Sequence, residues 1–179
     1  MRTLSNYITE TIKIGKSASN ISFYSCQPKD KDELKMIIED RIKQEGPRCD
    51  LNDIDVTLIE DMSHLFTYSS FNGDISKWNV FNVKNMAVMF FGSKFNGNIS
   101  RWNTSNVKNM SCMFYRSEFN GDISNWDVSN VKYMGSMFSW SKFNQDISNW
   151  KIREDCNTNK MFDRCPTREE YKPKSLQLI

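Results

Sequence analysis

Three kinds of side chain in this 179-residue sequence could do chemistry. They are one histidine, His64, five cysteines (Cys26, Cys49, Cys112, Cys156 and Cys165), and carboxylates that recur at a fixed interval. Nucleophilic catalysis needs a nucleophile with a base oriented beside it. A lone His64, whose counterparts 24 residues on are Val88, Cys112 and Ser136, reads as a solvent-facing or packed position rather than a base. One histidine and no C-x-x-C pair leave no zinc set. An odd number of scattered cysteines reads as reduced thiols. Neither a G-x-G-x-x-G nor a G-x-x-x-x-G-K-[ST] phosphate loop occurs. The remaining candidate is the series Asp74, Asn98, Asp122 and Asp146. Stacked carboxylates can hold a metal, but Asn98 interrupts the series, and an Asp at a turn has the ordinary task of capping backbone N–H groups. The expectation is a chain without enzymatic activity, cofactor or metal.

The elements that carry these residues are internal repeats. "FNGDISKWNV" (71–80) returns as "FNGNISRWNT" (95–104), "FNGDISNWDV" (119–128) and "FNQDISNWKI" (143–152). Aligned on this period, Phe71, Phe95, Phe119 and Phe143 form one column, and Ile75, Ile99, Ile123 and Ile147 another. Trp78, Trp102, Trp126 and Trp150 form a third, followed by Val83, Val107 and Val131 and by Met-Phe pairs at 89–90, 113–114, 137–138 and 161–162. Five units result: 47–70, 71–94, 95–118, 119–142 and 143–166, the first and last degenerate as the ends of a stacked array are. The Asn column (Asn72, Asn96, Asn120, Asn144) is expected to bond backbone groups of its own and the next unit.

Within a unit, Ile-x-x-Trp-x-Val-x-x-Val (123–131) reads as one strand or two brief strands. Asn-Met-x-x-Met-Phe (109–114), apolar at i, i+3 and i+4, reads as one or two helical turns. Residues 29–45 (KDKDELKMIIEDRIKQE) form a helix with Asp30 or Asp32 as N-cap, Leu34, Ile37, Ile38 and Ile42 on its apolar face, and Gly46-Pro47 as its stop. This helix is expected to cover the open first unit. A second amphipathic helix over 3–14, a linker over 15–28 and a wrapping tail over 163–179 complete the chain. The fold class expected is an α/β repeat: a short right-handed leucine-rich-repeat-like solenoid of about five units. Residues 1–45 form its N-terminal helical cap region, 46–166 the array, and 167–179 a C-terminal tail.

The pattern FN.DIS.W..SNVK.M..MF..S resembles the BspA-like leucine-rich-repeat proteins, the mycoplasma-type surface-protein repeat, over about residues 50–162. That resemblance implies a curved solenoid, a role in binding other proteins, often at a bacterial surface, and no catalytic residues.

Composition sets the remaining limits. With 24 basic and 22 acidic residues the net charge is +2, and no segment is basic enough for phosphate-backbone binding. No apolar run suits a membrane span or a secretory signal, so a cytoplasmic chain is expected, with the cell surface by an unseen route as the alternative. Columns identical in every unit answer to stacking: Phe95, Phe119, Asn96, Asn120, Trp78, Trp102, Trp126 and Trp150. Columns that vary are where a partner could be read: Phe91, Tyr115, Arg116, Trp140 and Tyr68 after the Met-Phe pairs, or Lys77, Phe81 and Arg101 elsewhere. Exposed Tyr, Trp and Arg are the types enriched at binding hot spots. The leading expectation is a non-enzymatic protein–protein interaction module, such as a phage or mobile-element protein that binds and blocks a host protein. The alternatives are a bacterial surface or adhesion protein, or a metal- or glycan-binding module using the Asp column and Trp ladder.

Overall fold

The structure, a computed structural model, describes residues 24–177. The helix expected over 3–14 and most of the linker over 15–28 lie outside the described residues. The 24-residue units stack on one another in register. Equivalent rings face each other almost parallel: Phe71, Phe95, Phe119 and Phe143 at 5.9, 6.2 and 6.3 Å, and the four tryptophans at 6.4, 6.3 and 6.5 Å. The Ile, Val and Met columns are buried beside them. Each buried ring contributes roughly 1.5–3 kcal/mol by its removal from water. Polar columns close the joints. Each indole Nε1 donates to the carbonyl of the preceding unit's Ile column, from Trp78 to Leu51 at 2.8 Å through Trp150 to Ile123 at 3.1 Å. Asn72, Asn96 and Asn120 each accept, through Oδ1, from the backbone N–H of the Asn one unit on, at 2.8–2.9 Å.

The expected α/β leucine-rich-repeat-like solenoid, with a strand and a helical turn in every unit, does not form. Among the described residues there is one α-helix, α1 (Lys31–Glu45), two single 3-10 turns (Glu169–Tyr171 and Lys174–Leu176), six isolated parallel bridges and no β-strand. The physical reasons differ for the two halves of a unit. The Ile-x-x-Trp-x-Val-x-x-Val stretch makes two β-turns, in which Trp126 N–H bonds to Ile123 and Val131 N–H to Val128. Each is held by a side chain that accepts two residues ahead: Asp122 from Ser124, Asp127 from Ser129. In the Met-Phe half, every fourth residue has positive φ, for example Cys112 at 53° and Arg116 at 54°. A helix cannot continue through that conformation. The flips leave a string of overlapping turns (Met89 N–H to Met86, Phe91 to Val88, Ser93 to Phe90) and swing the alternate N–H groups across to the next unit.

Those alternate N–H groups make a ladder. Met62, His64, Phe66 and Tyr68 donate to the carbonyls of Asn85, Ala87, Met89 and Phe91, and the same four bonds recur at each of the next three joints, all at 2.7–3.2 Å. The inner Phe column beside the ladder (Phe66, Phe90, Phe114, Phe138, Phe162) is spaced at 5.3–5.8 Å, tighter than the tryptophans. The units therefore fan open away from the ladder.

Both ends are covered. α1 starts where Asp30 Oδ1 accepts from Glu33 N–H at 2.9 Å and stops at Gly46, φ 90°. Leu34, Ile37 and Ile38 are buried on the first unit. Arg41 fixes the helix there through the Asp53 carboxylate at 3.0 Å and the Asp50 carbonyl at 2.9 Å. At the other end, Ile147 N–H bonds to Tyr171 and Thr167 Oγ1 to the Phe143 carbonyl, which lays the tail over the last unit.

Candidate functional site

The ladder positions one exposed face. At its rim the chain turns through the two residues after each Met-Phe pair, and the second of these has positive φ in every unit: Tyr68, Gly92, Arg116, Trp140 and Arg164. This conformation aims side chains of neighbouring units at one another. The Tyr68 ring meets Phe91 edge-on at 5.2 Å, and Phe91 stacks on Tyr115 at 4.8 Å. The Arg116 guanidinium lies between Tyr115 and Trp140, 5.5 and 5.6 Å from their centroids. Arg164 covers Trp140 at 4.2 Å. One strip of rings and cations thus crosses all five units. Tyr68 (71%) and Trp140 (43%) are well exposed, Arg116 is exposed, and Phe91 and Tyr115 are half-buried.

Five sequence candidates, Tyr68, Phe91, Tyr115, Arg116 and Trp140, therefore meet on one surface. Lys77, Phe81 and Arg101 are also exposed, but among the described residues no ring, cation–π or ion-pair contact joins them to the strip. Phe95, Phe119, Trp78, Trp102, Trp126 and Trp150 are buried, and Asn96 and Asn120 carry the inter-unit bonds. Sequence reasoning missed Arg164, although it stands 24 residues after Trp140 in the same column. It also missed Gly92. A Cβ there would come within 2.6 Å of the Tyr68 ring, so the glycine leaves room for that ring to lie across the rim.

Glu118 lies between Lys142 and Lys94, whose ammonium groups hold its carboxyl below the usual range. Burial pushes the Cys112 thiol up, away from reactive thiolate. Asp74, Asn98, Asp122 and Asp146 each accept from the N–H of the serine two residues ahead. Those bonds use one oxygen of each column residue to cap the backbone. Among the described residues no group of three His, Cys, Asp or Glu side chains is arranged to hold a metal ion, and no helix is long and apolar enough to cross a membrane. All five cysteines are free thiols.

A stack of near-identical turn-rich units presenting one continuous side-chain strip defines a repeat protein. Residues 39–138 and 115–171 each match the family described as "Mycoplasma protein of unknown function, DUF285". The two matches together span 39–171, well over half of the chain, and the chain belongs to that family. No curated protein and no solved structure matches it.

Proposed function

We propose that this chain is a non-enzymatic protein-binding module and that the strip from Tyr68 to Arg164 is its contact surface. The observation that carries the reading is the unbroken line of ring and cation contacts across all five units on an exposed rim. Nothing in the stacking requires these side chains, since the Phe, Trp and Met columns already fill the interior. Their types, Tyr, Trp and Arg, are those that dominate binding energy where proteins meet. The likeness of the repeat motif to BspA-like proteins supports the same reading. The strip crosses five units at about 5 Å each, a length that fits within a standard interface of about 800 Å² per partner.

The test starts from a partner isolated by affinity capture and verified with purified proteins. Calorimetry then compares two triple variants, Phe91→Ala/Tyr115→Ala/Trp140→Ala and Lys77→Ala/Phe81→Ala/Arg101→Ala. The first is expected to weaken binding by about 2 kcal/mol or more, about thirtyfold, with the second unchanged. The reverse ranking, in folded variants, moves the contact surface to the other side of the units.

A further inference from the structure

The ladder does not end symmetrically. In the last unit the carbonyls of Asn157, Asn159, Met161 and Asp163 are taken by Met134, Ser136, Phe138 and Trp140 N–H. The intervening N–H groups, of Thr158, Lys160, Phe162 and Arg164, occupy the positions that in every earlier unit donate to the next, and among the described residues they have no acceptor. The backbone is already set for that role: Lys160 and Arg164 keep the positive φ (56° and 52°) of their counterparts. This edge differs from that of an ordinary sheet, which alternates donors and acceptors. It offers donors only.

The opposite end shows how the fold treats a one-sided edge. There the carbonyls of Asp61, Ser63, Leu65 and Thr67 lack backbone donors among the described residues, and a cation bonds side chains of the same segment. Lys31 Nζ stands 2.8 Å from Asp61 Oδ2 and 3.1 Å from Ser63 Oγ. At the donor end no carboxylate of the described chain accepts from the four N–H groups, and Lys160 and Arg164 flank the row without an ion pair. A run of N–H groups that point one way, in alternating backbone conformations, attracts anionic acceptors.

Size and charge select the occupant. The tail covers the interior at this end, and Lys172 Nζ lies over the Phe162 ring at 5.7 Å, so the core of another whole unit has no room. A slender segment does. An ordinary β-strand would set its own N–H groups against the row, whereas carboxylates accept only. Nucleic acid calls for clustered Lys and Arg, and here two cations stand beside Asp163. We propose that the edge 158–164 binds an extended, carboxylate-rich segment of another protein, whose Asp or Glu oxygens and carbonyls accept from the four N–H groups while Lys160 and Arg164 pair with its charges. This edge meets the proposed aromatic contact surface at Arg164, whose guanidinium lies over Trp140, but it rests on the four backbone donors and not on that reading.

The test reads the amides of the full chain directly, by ¹⁵N NMR and hydrogen exchange, with three probes: a ten-residue Glu-rich peptide, its Gln counterpart and a thymidine oligonucleotide. In the free chain the amides of Thr158, Lys160, Phe162 and Arg164 are expected to exchange fast, and their internal counterparts Met134, Ser136, Phe138 and Trp140 slowly. The Glu-rich peptide should shift those four amides and slow their exchange by about tenfold or more, with the other two probes inert. K160E/R164E should weaken that peptide by about tenfold while the internal amides stay in place. Four amides already protected in the free chain overturn the proposal. So does a Glu-rich peptide that leaves them unshifted at about 1 mM, or an oligonucleotide that protects them equally well. If the double variant fails to fold, the amide readout on the unmodified chain decides alone.

Discussion

Val88 holds φ at 62°, where the Cβ of an L-residue crowds the following carbonyl at a cost of about 1–2 kcal/mol. A β-branched side chain makes that conformation rarer still. The return is one ladder bond, Val88 N–H to the Ser111 carbonyl at 2.9 Å, and the buried Met-Phe pair on either side of it. Gly92 shares the conformation, yet Tyr68, Arg116, Trp140 and Arg164 adopt it with full side chains, so backbone freedom is not all that the glycine supplies. Its missing Cβ makes space for the Tyr68 ring. Gly92→Ala should therefore cost about 2 kcal/mol or more in the wild-type background, and only the left-handed penalty of about 1 kcal/mol in Tyr68→Ala. Urea melts of the four proteins in that cycle measure the coupling. Equal costs in both backgrounds would show that the ring does not press on residue 92.

At the scale of the element, each unit is a run of turns held by side chains that cap the backbone two residues ahead. The Ser124 N–H, bonded to Asp122, holds that carboxyl below its usual range, and the Ser129 side chain and N–H together hold Asp127 below it. A carboxyl lowered in the folded state binds more protons when unfolded. Its contribution is thus complete above the unfolded value of about 4 and is lost as pH falls through the folded one. Asn98 and Asn103 make the same bonds at 3.0 and 3.1 Å without a charge. Asp122→Asn/Asp127→Asn should melt slightly below wild type near pH 7, where the charges contribute, and lose less than wild type between pH 4 and pH 2. Thermal melts at both ends of that range check it, and an acid loss as steep as wild type's would place the acid sensitivity elsewhere. The turns also explain how much the sequence showed. Asn96 and Asn120 were legible as inter-unit bonds, and α1 was legible from Asp30, Leu34, Ile38 and Gly46, because each depends on residue type and spacing. Met110, Met113 and Phe114 misled. Apolar residues at i, i+3 and i+4 fall on one side of a helix and equally on one side of a turn string that flips every fourth residue. No glycine or asparagine marked the flips at Val88, Cys112 or Arg116. The recurring Ile, Trp and Val looked like strand, but they enter the interior from two successive turns. The strip was half legible: variation between units picked out Tyr68, Phe91, Tyr115, Arg116 and Trp140, but composition could not separate them from Lys77, Phe81 and Arg101, since only the path of the backbone brings the first set together.

For the whole molecule the question is whether an end unit is weaker than a middle one. Trp126 has an indole on both sides and Trp150 on one, yet their exposures are alike at 3% and 4% because the tail covers the last unit. Equal burial means an equal transfer contribution. Trp126→Ala should cost roughly 3–5 kcal/mol, and Trp150→Ala about 1 kcal/mol less, the worth of one ring contact. Each change also removes one of the two bonds on a carbonyl, of Ile99 or Ile123, which keeps its backbone donor. Denaturant melts of both variants decide. A small loss at Trp150 would mean that the tail does not seal that end in solution.

The tryptophan column has an optical consequence. Four indoles held within 4–8° of parallel, at 6.3–6.5 Å from one to the next, are close enough for their electronic transitions to mix along the row. Light absorbed by one is shared by its neighbours. Near-parallel stacking should weaken the indole absorption of the folded chain, a hypochromism that no isolated unit can produce. The fifth tryptophan, Trp140, stands outside the row and under Arg164, so its emission follows the proposed contact surface while the hypochromism follows the stack. One molecule therefore holds two separate spectroscopic reporters, one for assembly of the interior and one for occupancy of the rim.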